Sequence, residues 1–160
     1  MVTGKPDPAM HAECVRRTGA RRPLVVGDRL DTDIEGAHRA GAPSLLVLTG
    51  VTDPAGLLAA PPEHRPDLLA PDVGGLLVGH PAVVPADGGW RCAGWAVHQD
   101  EDGLELRALG PSDEDDGLDG LRALAVAHWS RHPAEGRPAT VRAGDATAAG
   151  ALERWRLGAD

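Results

Sequence analysis

The sequence predicts an α/β fold: a parallel sheet with helices on both faces, followed by a small α+β domain. Two observations carry the first part. Short runs that are apolar throughout, PLVVGD and PSLLVLTG, alternate with segments of helical pattern. Strands buried on both faces and separated by helices belong to parallel sheets. A third observation divides the chain. At HPAVVPADGG the composition shifts to Pro, Gly and Ala, and the pattern beyond it changes from strand–helix alternation to hairpin. The expected organisation is a first domain over 1–79, a linker over 80–87 and a second domain over 88–160.

The elements follow in order. Asp7 can cap a helix over about 8–18, Pro8 suits its first turn, Met10, Cys14 and Val15 give an apolar stripe, and Arg16, Arg17 and Gly19 suit its end. PLVVGD reads as a strand buried on both faces, with Asp28 at its carboxyl end. DTDIEGAHRAG predicts a helix capped by Asp31 or Thr32, with Ile34, Ala37 and Ala40 inward and Gly41 closing it. PSLLVLTG is a second buried strand. Residues 51–66, rich in Pro and Ala, read as a surface connection with one helical turn, and DLLAPDVGGLLVG as a short strand and a short helix. In the second domain, WRCAGWAVHQDEDGLELRAL carries a hairpin signal. LRALAVAHWSRH is helical, with Leu121, Leu124, Ala125 and Trp129 at helical spacing. ATVRAG is a strand, and TAAGALERWRLG a last helix with Leu152 and Trp155 inward. The order is ββαβα.

Composition limits the function. The 160 residues are 42% hydrophobic, which suffices for a core, but they include no Phe or Tyr and only 4 Trp, so packing is mostly aliphatic. The net charge of −8, its acidic excess mostly in the second half, and the lack of a basic stripe argue against nucleic acid and anionic membranes. Cys14 and Cys92 stand far apart, which excludes a CxxC redox or zinc motif and agrees with a reduced, cytoplasmic chain. There is no apolar leader segment and no run approaching the roughly 18–20 apolar residues of a membrane helix.

Three residues stand out chemically. Asp28 and Asp33 form GDxxxxD where a buried strand gives way to a helix, and in parallel α/β sheets ligands bind outside the carboxyl ends of the strands. A hard cation such as Mg²⁺ needs only one or two protein carboxylates beside water and a substrate phosphate. Asp28 meets that requirement; the alternative is that Asp28 and Asp33 cap the following helix. Lys5, in GKPDP, is the only lysine among 16 basic residues. A compact ammonium on a flexible stem can neutralise a phosphoryl oxygen and a carboxylate together, where a guanidinium fork demands other geometry. The alternative is a chance survivor of a bias towards arginine.

Taken in order, GKPDP and GDRLDTDIEGAHRAGAPSLLVLTGV closely resemble the third and fourth motifs of the haloacid-dehalogenase-like (HAD) phosphatases, whose core is Rossmann-like. The branch is that of nucleotide and sugar phosphate phosphatases, including p-nitrophenyl phosphatase-like enzymes. The similarity runs over residues 4 to about 78. It implies a phosphomonoesterase in which an aspartate attacks phosphorus, a second aspartate protonates the leaving oxygen, a Ser or Thr binds the phosphoryl group and Mg²⁺ screens the charge. By resemblance, Lys5 holds the phosphoryl group and nucleophile, Asp28 is the Mg²⁺ ligand, Asp33 is the supporting acid, and Gly27 and Thr32 are backbone and capping positions of the same motif.

The sequence also departs from the family. The nucleophile motif, DxDGT or DxDGV after a buried strand, is absent; DGLDG and DEDDG lie in an acidic loop of the second domain. The expectation is that the chain begins at the third motif, is inactive alone, and leaves the strand over 23–27 as an unpaired apolar edge prone to association. Its partners would be a small phosphorylated substrate and either the missing N-terminal half or a second copy. Residues 88–157 resemble the GCN5-related N-acetyltransferase (GNAT) domain that HAD phosphatases of actinobacterial type can carry, a group whose implied substrate is glycerol 3-phosphate. VRAGDATAAGAL lacks the spacing of a loop that binds the acetyl-CoA pyrophosphate, so a non-catalytic module is expected. His128 and His132 are four apart on a helix but have no third ligand nearby. SDEDDGLD lacks the terminal Glu of a calcium loop. The alternative to a phosphatase is a catalytically inactive binding or regulatory module that retains a HAD remnant.

Overall fold

A computed structural model describes residues 4–112 and 116–158. The chain divides into two compact units, one of Met1–Thr52 and Ala60–Val78, the other of Asp53–Ala59 and Gly79–Asp160. Among the described residues no helix is long and apolar enough to cross a membrane.

The first unit runs α1 (Ala9–Thr18), β1 (Val25–Gly27), a π-helical turn (Leu30–Ile34), α2 (Glu35–Ala40), β2 (Ser44–Val47), a 3₁₀ turn (Pro62–His64), β3 (Leu68–Ala70) and a second 3₁₀ turn (Val73–Leu77). Its three strands are parallel in the order β1-β2-β3, with Val26 opposite Leu45 and Leu46 opposite Leu69. β2 is central and buried at all four positions. Leu45, Val47 and Ala70 form a core cluster against which Val26 and Leu68 pack.

α1 ends as expected. Glu13 bonds Arg16 and Arg17, and Gly19 takes φ 66° to close the helix. Asp7 Oδ1 accepts from the Ala9 amide at 2.8 Å. The stripe of Met10, Cys14 and Val15, however, is not buried; no residue of α1 is. β1 is likewise half-buried rather than enclosed. One cause serves both: β1 is an edge strand, and a groove of about 700 Å³ lined by His11, Cys14, Val15, Leu24 and Val25 opens between it and α1.

The next helix starts differently from the expectation. Neither Asp31 nor Thr32 caps it. Asp31 instead takes both its oxygens to the guanidinium of Arg29, at 3.1 and 2.8 Å, which holds its carboxyl below the usual range. Ile34 and Ala37 are fully buried, whereas Ala40 is exposed. Gly41, at φ 63°, ends α2.

The stretch read as a surface connection holds α3 (Pro54–Leu58), capped by Asp53, whose side chain accepts from the Gly56 amide at 2.7 Å. Leu57 and Leu58 are buried, and this short helix belongs to the second unit. The one helical turn expected here is present; the difference is its burial, which rests on two adjacent leucines and so leaves no periodicity in the sequence.

The second unit continues with β4 (Val83–Ala86), β5 (Gly89–Cys92), β6 (Trp95–Asp100), β7 (Gly103–Ala108), α4 (Asp119–Arg131), β8 (Val141–Ala143) and α5 (Ala146–Trp155). The sheet order is β4-β5-β6-β7-β8, antiparallel except that β7 and β8 are parallel. The hairpin β6–β7, α4, β8 and α5 match the expected order. The expected linker over 80–87 instead contains β4, whose Pro85 argues against a central strand; β4 lies at the sheet edge, where proline is tolerated.

α4 is buried on nearly all sides. Gly120 lets it pass the Trp95 and Trp155 rings, whose centroids are 6.3 Å apart; a Cβ there would lie 2.9 Å from Trp155. The helix also buries a charge. The Arg122 guanidinium bonds Asp116 at 2.6 and 2.7 Å and Asp119 at 2.7 Å, and its side chain is only 7% exposed. Burial pushes the Asp116 carboxyl up, but the bond and charge of Arg122 outweigh it, and the net direction is down. Thus the acidic loop read as SDEDDGLD supplies partners to an arginine; residues 113–115 of it lie outside the described residues.

Removing one member of such a buried cluster strands the others, so Arg122→Met is expected to lower stability by about 3–5 kcal/mol in urea unfolding. Because the Asp116 pKa is depressed in the folded state, its contribution is present above the unfolded value of about 4 and lost as pH falls through the lower folded value. The midpoint of urea unfolding should therefore drop on acidification below about pH 4, and drop less in the variant.

Candidate functional site at the carboxyl end of the parallel sheet

β1 ends at Gly27, which places Asp28 just beyond the carboxyl edge of the sheet and leads into the π-helical turn that carries Thr32 and Asp33. Asp33 is buried, with 4% of its surface exposed. Both its oxygens are used: Oδ1 accepts from Lys5 Nζ at 2.5 Å, and Oδ2 accepts from the Arg29 amide at 3.2 Å. The second bond reaches back to the amide that precedes the turn, so it is not the cap expected of Asp31 or Thr32. Thr32 lies half-buried in the turn.

Gly27 is required by this arrangement. A Cβ at position 27 would fall 2.2 Å from the Cβ of Asp33 and 2.4 Å from its Oδ2. The carboxylate packs against the backbone of the strand end, which only a residue without a side chain allows.

Asp28 is half-buried and does not cap the helix. Its Oδ2 accepts from Thr49 Oγ1 at 3.2 Å, and its backbone carbonyl accepts from Thr52 Oγ1 at 2.6 Å. Its other carboxylate oxygen makes no protein hydrogen bond among the described residues. The structure therefore brings Lys5 and Asp33 together from 28 residues apart, sets Gly27 beneath Asp33, and leaves Asp28 held by two hydroxyls. Sequence reasoning missed Thr49 and Thr52. The signal was available: TGVT directly follows a buried strand, at the sheet edge where ligands bind.

The remaining candidates are not metal centres. Among the described residues no group of three or more His, Cys, Asp and Glu side chains is arranged to hold a metal ion. The His128 and His132 rings lie with centroids 4.8 Å apart and planes tilted by 56°, and His128 Nε2 is 2.8 Å from the Arg137 carbonyl. In VRAGDATAAGAL, Asp145 caps α5 with its own carboxylate, accepting from the Ala148 amide at 2.8 Å and from the Ala108 amide at 2.9 Å. The first of these bonds is the main reason its carboxyl lies below the usual range. A helix end filled by a carboxylate does not offer its amides to a pyrophosphate.

Parallel strands, an acid beyond the first strand's carboxyl end and a lysine–aspartate pair beside it fit an α/β core of the HAD kind. Comparison with known proteins agrees. Residues 2–76 match the family model HAD-hydrolase-like, and residues 92–157 match the GCN5-related N-acetyltransferase like domain. The first part of the chain is thus similar to the HAD-like family and the second to a GNAT-like domain.

The chain is 42% identical to D-glycerol 3-phosphate phosphatase of Mycobacterium tuberculosis over 98% of its own length and 45% of that protein's. It is 39% identical to phosphoglycolate phosphatase 2 of Arabidopsis thaliana over 48% of this chain and 26% of that one. A crystal structure of the M. tuberculosis glycerol phosphate phosphatase in complex with calcium superposes with a TM-score of 0.84 at 41% identity, covering 100% of this chain and 46% of that one. The structure in complex with magnesium gives 0.76 at 42% identity, covering 98% and 44%. The chain thus spans less than half the length of these relatives.

Gly27→Ala tests the packing at the strand end. The added methyl must displace Asp33, so a loss of about 1–3 kcal/mol is expected in denaturant unfolding, together with loss of the Lys5–Asp33 bond. The bond's loss should be visible as a change in the Lys5 Nζ resonance, which the same substitution at the unconstrained Gly4 would not produce.

Proposed function

We propose that the first unit carries the phosphate- and metal-binding side of a Mg²⁺-dependent phosphomonoesterase acting on a small phosphorylated polyol or sugar such as glycerol 3-phosphate. The observation that carries this reading is the pairing of Lys5 with Asp33 on Gly27, which sets an ammonium and the Asp28 carboxylate at one edge of the parallel sheet. Similarity to a glycerol 3-phosphate phosphatase over almost the whole chain supports the substrate class.

The roles follow from the chemistry of each group. The Lys5 ammonium binds a phosphoryl oxygen; Asp33 neutralises it in the free protein and keeps its stem aimed at the sheet edge. Gly27 makes room for Asp33, and Thr32 forms the turn that presents it. The residues fit Mg²⁺, since half-buried Asp28 offers a hard oxygen that makes no protein bond among the described residues, and this ion takes one or two carboxylates with substrate phosphate and water. Bound there, the ion would offset the charge of the phosphoryl group.

The 160 residues contain no DxDGT or DxDGV. In this reading the nucleophilic aspartate, its acid partner and the Ser/Thr phosphate ligand come from polypeptide outside them, corresponding to the other half of the longer relatives. The open edge of β1 is where a further strand would add. The GNAT-like domain is a non-catalytic module, consistent with Asp145 filling the helix end of α5. The protein works in the cytoplasm, which its reduced cysteines suit.

The chain alone, supplied with glycerol 3-phosphate and Mg²⁺, is expected to bind the ester without releasing phosphate. Replacing one charge-assisted contact by Lys5→Gln should weaken that binding about 10- to 100-fold in ³¹P NMR titration. Equal binding by the variant would remove Lys5 from the site, and phosphate release by the chain alone would show that it has its own nucleophile.

A further inference from the structure

We infer that Thr49 and Thr52 are positioning residues for Asp28, fixing the carboxylate and the backbone that bears it. The inference rests on the reading of Asp28 as a metal ligand and adds two residues to it. Both lie in the segment that follows β2, 21 and 24 residues from Asp28, so the contacts come from neighbouring strand ends and not from local turn geometry.

The two hydroxyls act on different parts of the same residue. Thr52 is buried, at 9% exposure, and donates to the Asp28 carbonyl at 2.6 Å. A buried hydroxyl needs a partner, and in taking this one it restrains the peptide that sets the direction of the Asp28 side chain. Thr49 is exposed and donates to Oδ2 at 3.2 Å. A hydroxyl has a single proton to donate, so each threonine is committed to one oxygen. With Oδ2 held and the carbonyl pinned, Oδ1 is the carboxylate oxygen directed by the protein and bonded to none of it among the described residues.

Hydrogen-bond partners of metal ligands orient those ligands, and their loss typically reduces metal affinity 10- to 100-fold. This logic extends to both threonines. Thr52→Val keeps the branched shape and removes the hydroxyl; Thr52→Ser keeps the hydroxyl and removes a methyl. The same pair applies at position 49, where exposure removes any packing cost.

The experiment is Mn²⁺ binding to the full chain, read by electron paramagnetic resonance of the free ion, with melting temperature measured on each variant. Asp28→Asn should abolish the site. Thr52→Val and Thr49→Val should weaken binding about 10-fold or more, and the serine variants should bind like the parent. Unchanged affinity in both valine variants, with Asp28→Asn still inactive in binding, overturns the inference and leaves Asp28 as the ligand. A lower melting temperature for Thr52→Val without weaker binding overturns it for Thr52, whose hydroxyl would then serve folding alone. Absence of binding by the parent chain, or equal binding by Asp28→Asn, overturns the metal reading itself and this inference with it. If Thr52→Val does not fold, Thr49→Val and Thr52→Ser decide the matter.

Discussion

Asp33 is a carboxylate folded into the end of a strand, and the first unit is arranged so that this is tolerable. Burying an unpaired carboxylate is prohibitive, and two partners are needed to hold it. One is the Lys5 ammonium; the other is the Arg29 amide that opens the following turn. The strand must end in a residue without a side chain, hence Gly27. The segment before α1 must return to the sheet edge, which it does through GKPDP. Asp28, one residue beyond Gly27, inherits its position from this packing.

The second unit solves a similar problem in another way. It buries an arginine together with a carboxylate, and two aspartates from the loop and first turn of α4 close around the guanidinium. Such a cluster contributes little net stability compared with apolar packing, but it ties the start of α4 to the loop before it, since separating the three groups would leave a buried charge unpaired. The aliphatic core around it, with Trp95 against Trp155 as its main aromatic contact, has few shape-specific side chains of its own.

Much of this was legible in the sequence where a local rule and a long-range role coincide. PSLLVLTG reads as a buried strand because of its apolar run LLVL, and Ser44–Val47 is buried at every position. Lys5, Asp28 and Asp33 stand out by type and spacing and Gly27 by resemblance to the family motif, and Lys5, Gly27 and Asp33 meet at the strand end. The rule failed where burial depends on what lies alongside. PLVVGD looks like a central strand, but as an edge strand it is half-buried, and the stripe of Met10, Cys14 and Val15 lies at the surface for the same reason. Asp31 looks like the better cap, but Arg29 two residues earlier claims it. β4 was hidden by Pro85, whose cost vanishes at a sheet edge. Thr49 and Thr52 carry no periodicity, and their partner is visible only once β1 and β2 are side by side.

The assignment of α3 bears on how the chain came to be joined. The backbone leaves the first unit after Thr52, returns at Ala60 and leaves again after Val78, so the segment between β2 and β3 supplies seven residues, Asp53–Ala59, to the second unit. Leu57 and Leu58 are buried there, and the Leu58 carbonyl accepts from the Trp129 indole at 3.2 Å. A protease cut or gene break near residue 79 would therefore not release two whole modules; it would strip seven residues from the second. An ancestral fusion of two independent domains would have had to adapt this loop afterwards, so excising or swapping the GNAT-like domain requires carrying Asp53–Ala59 with it.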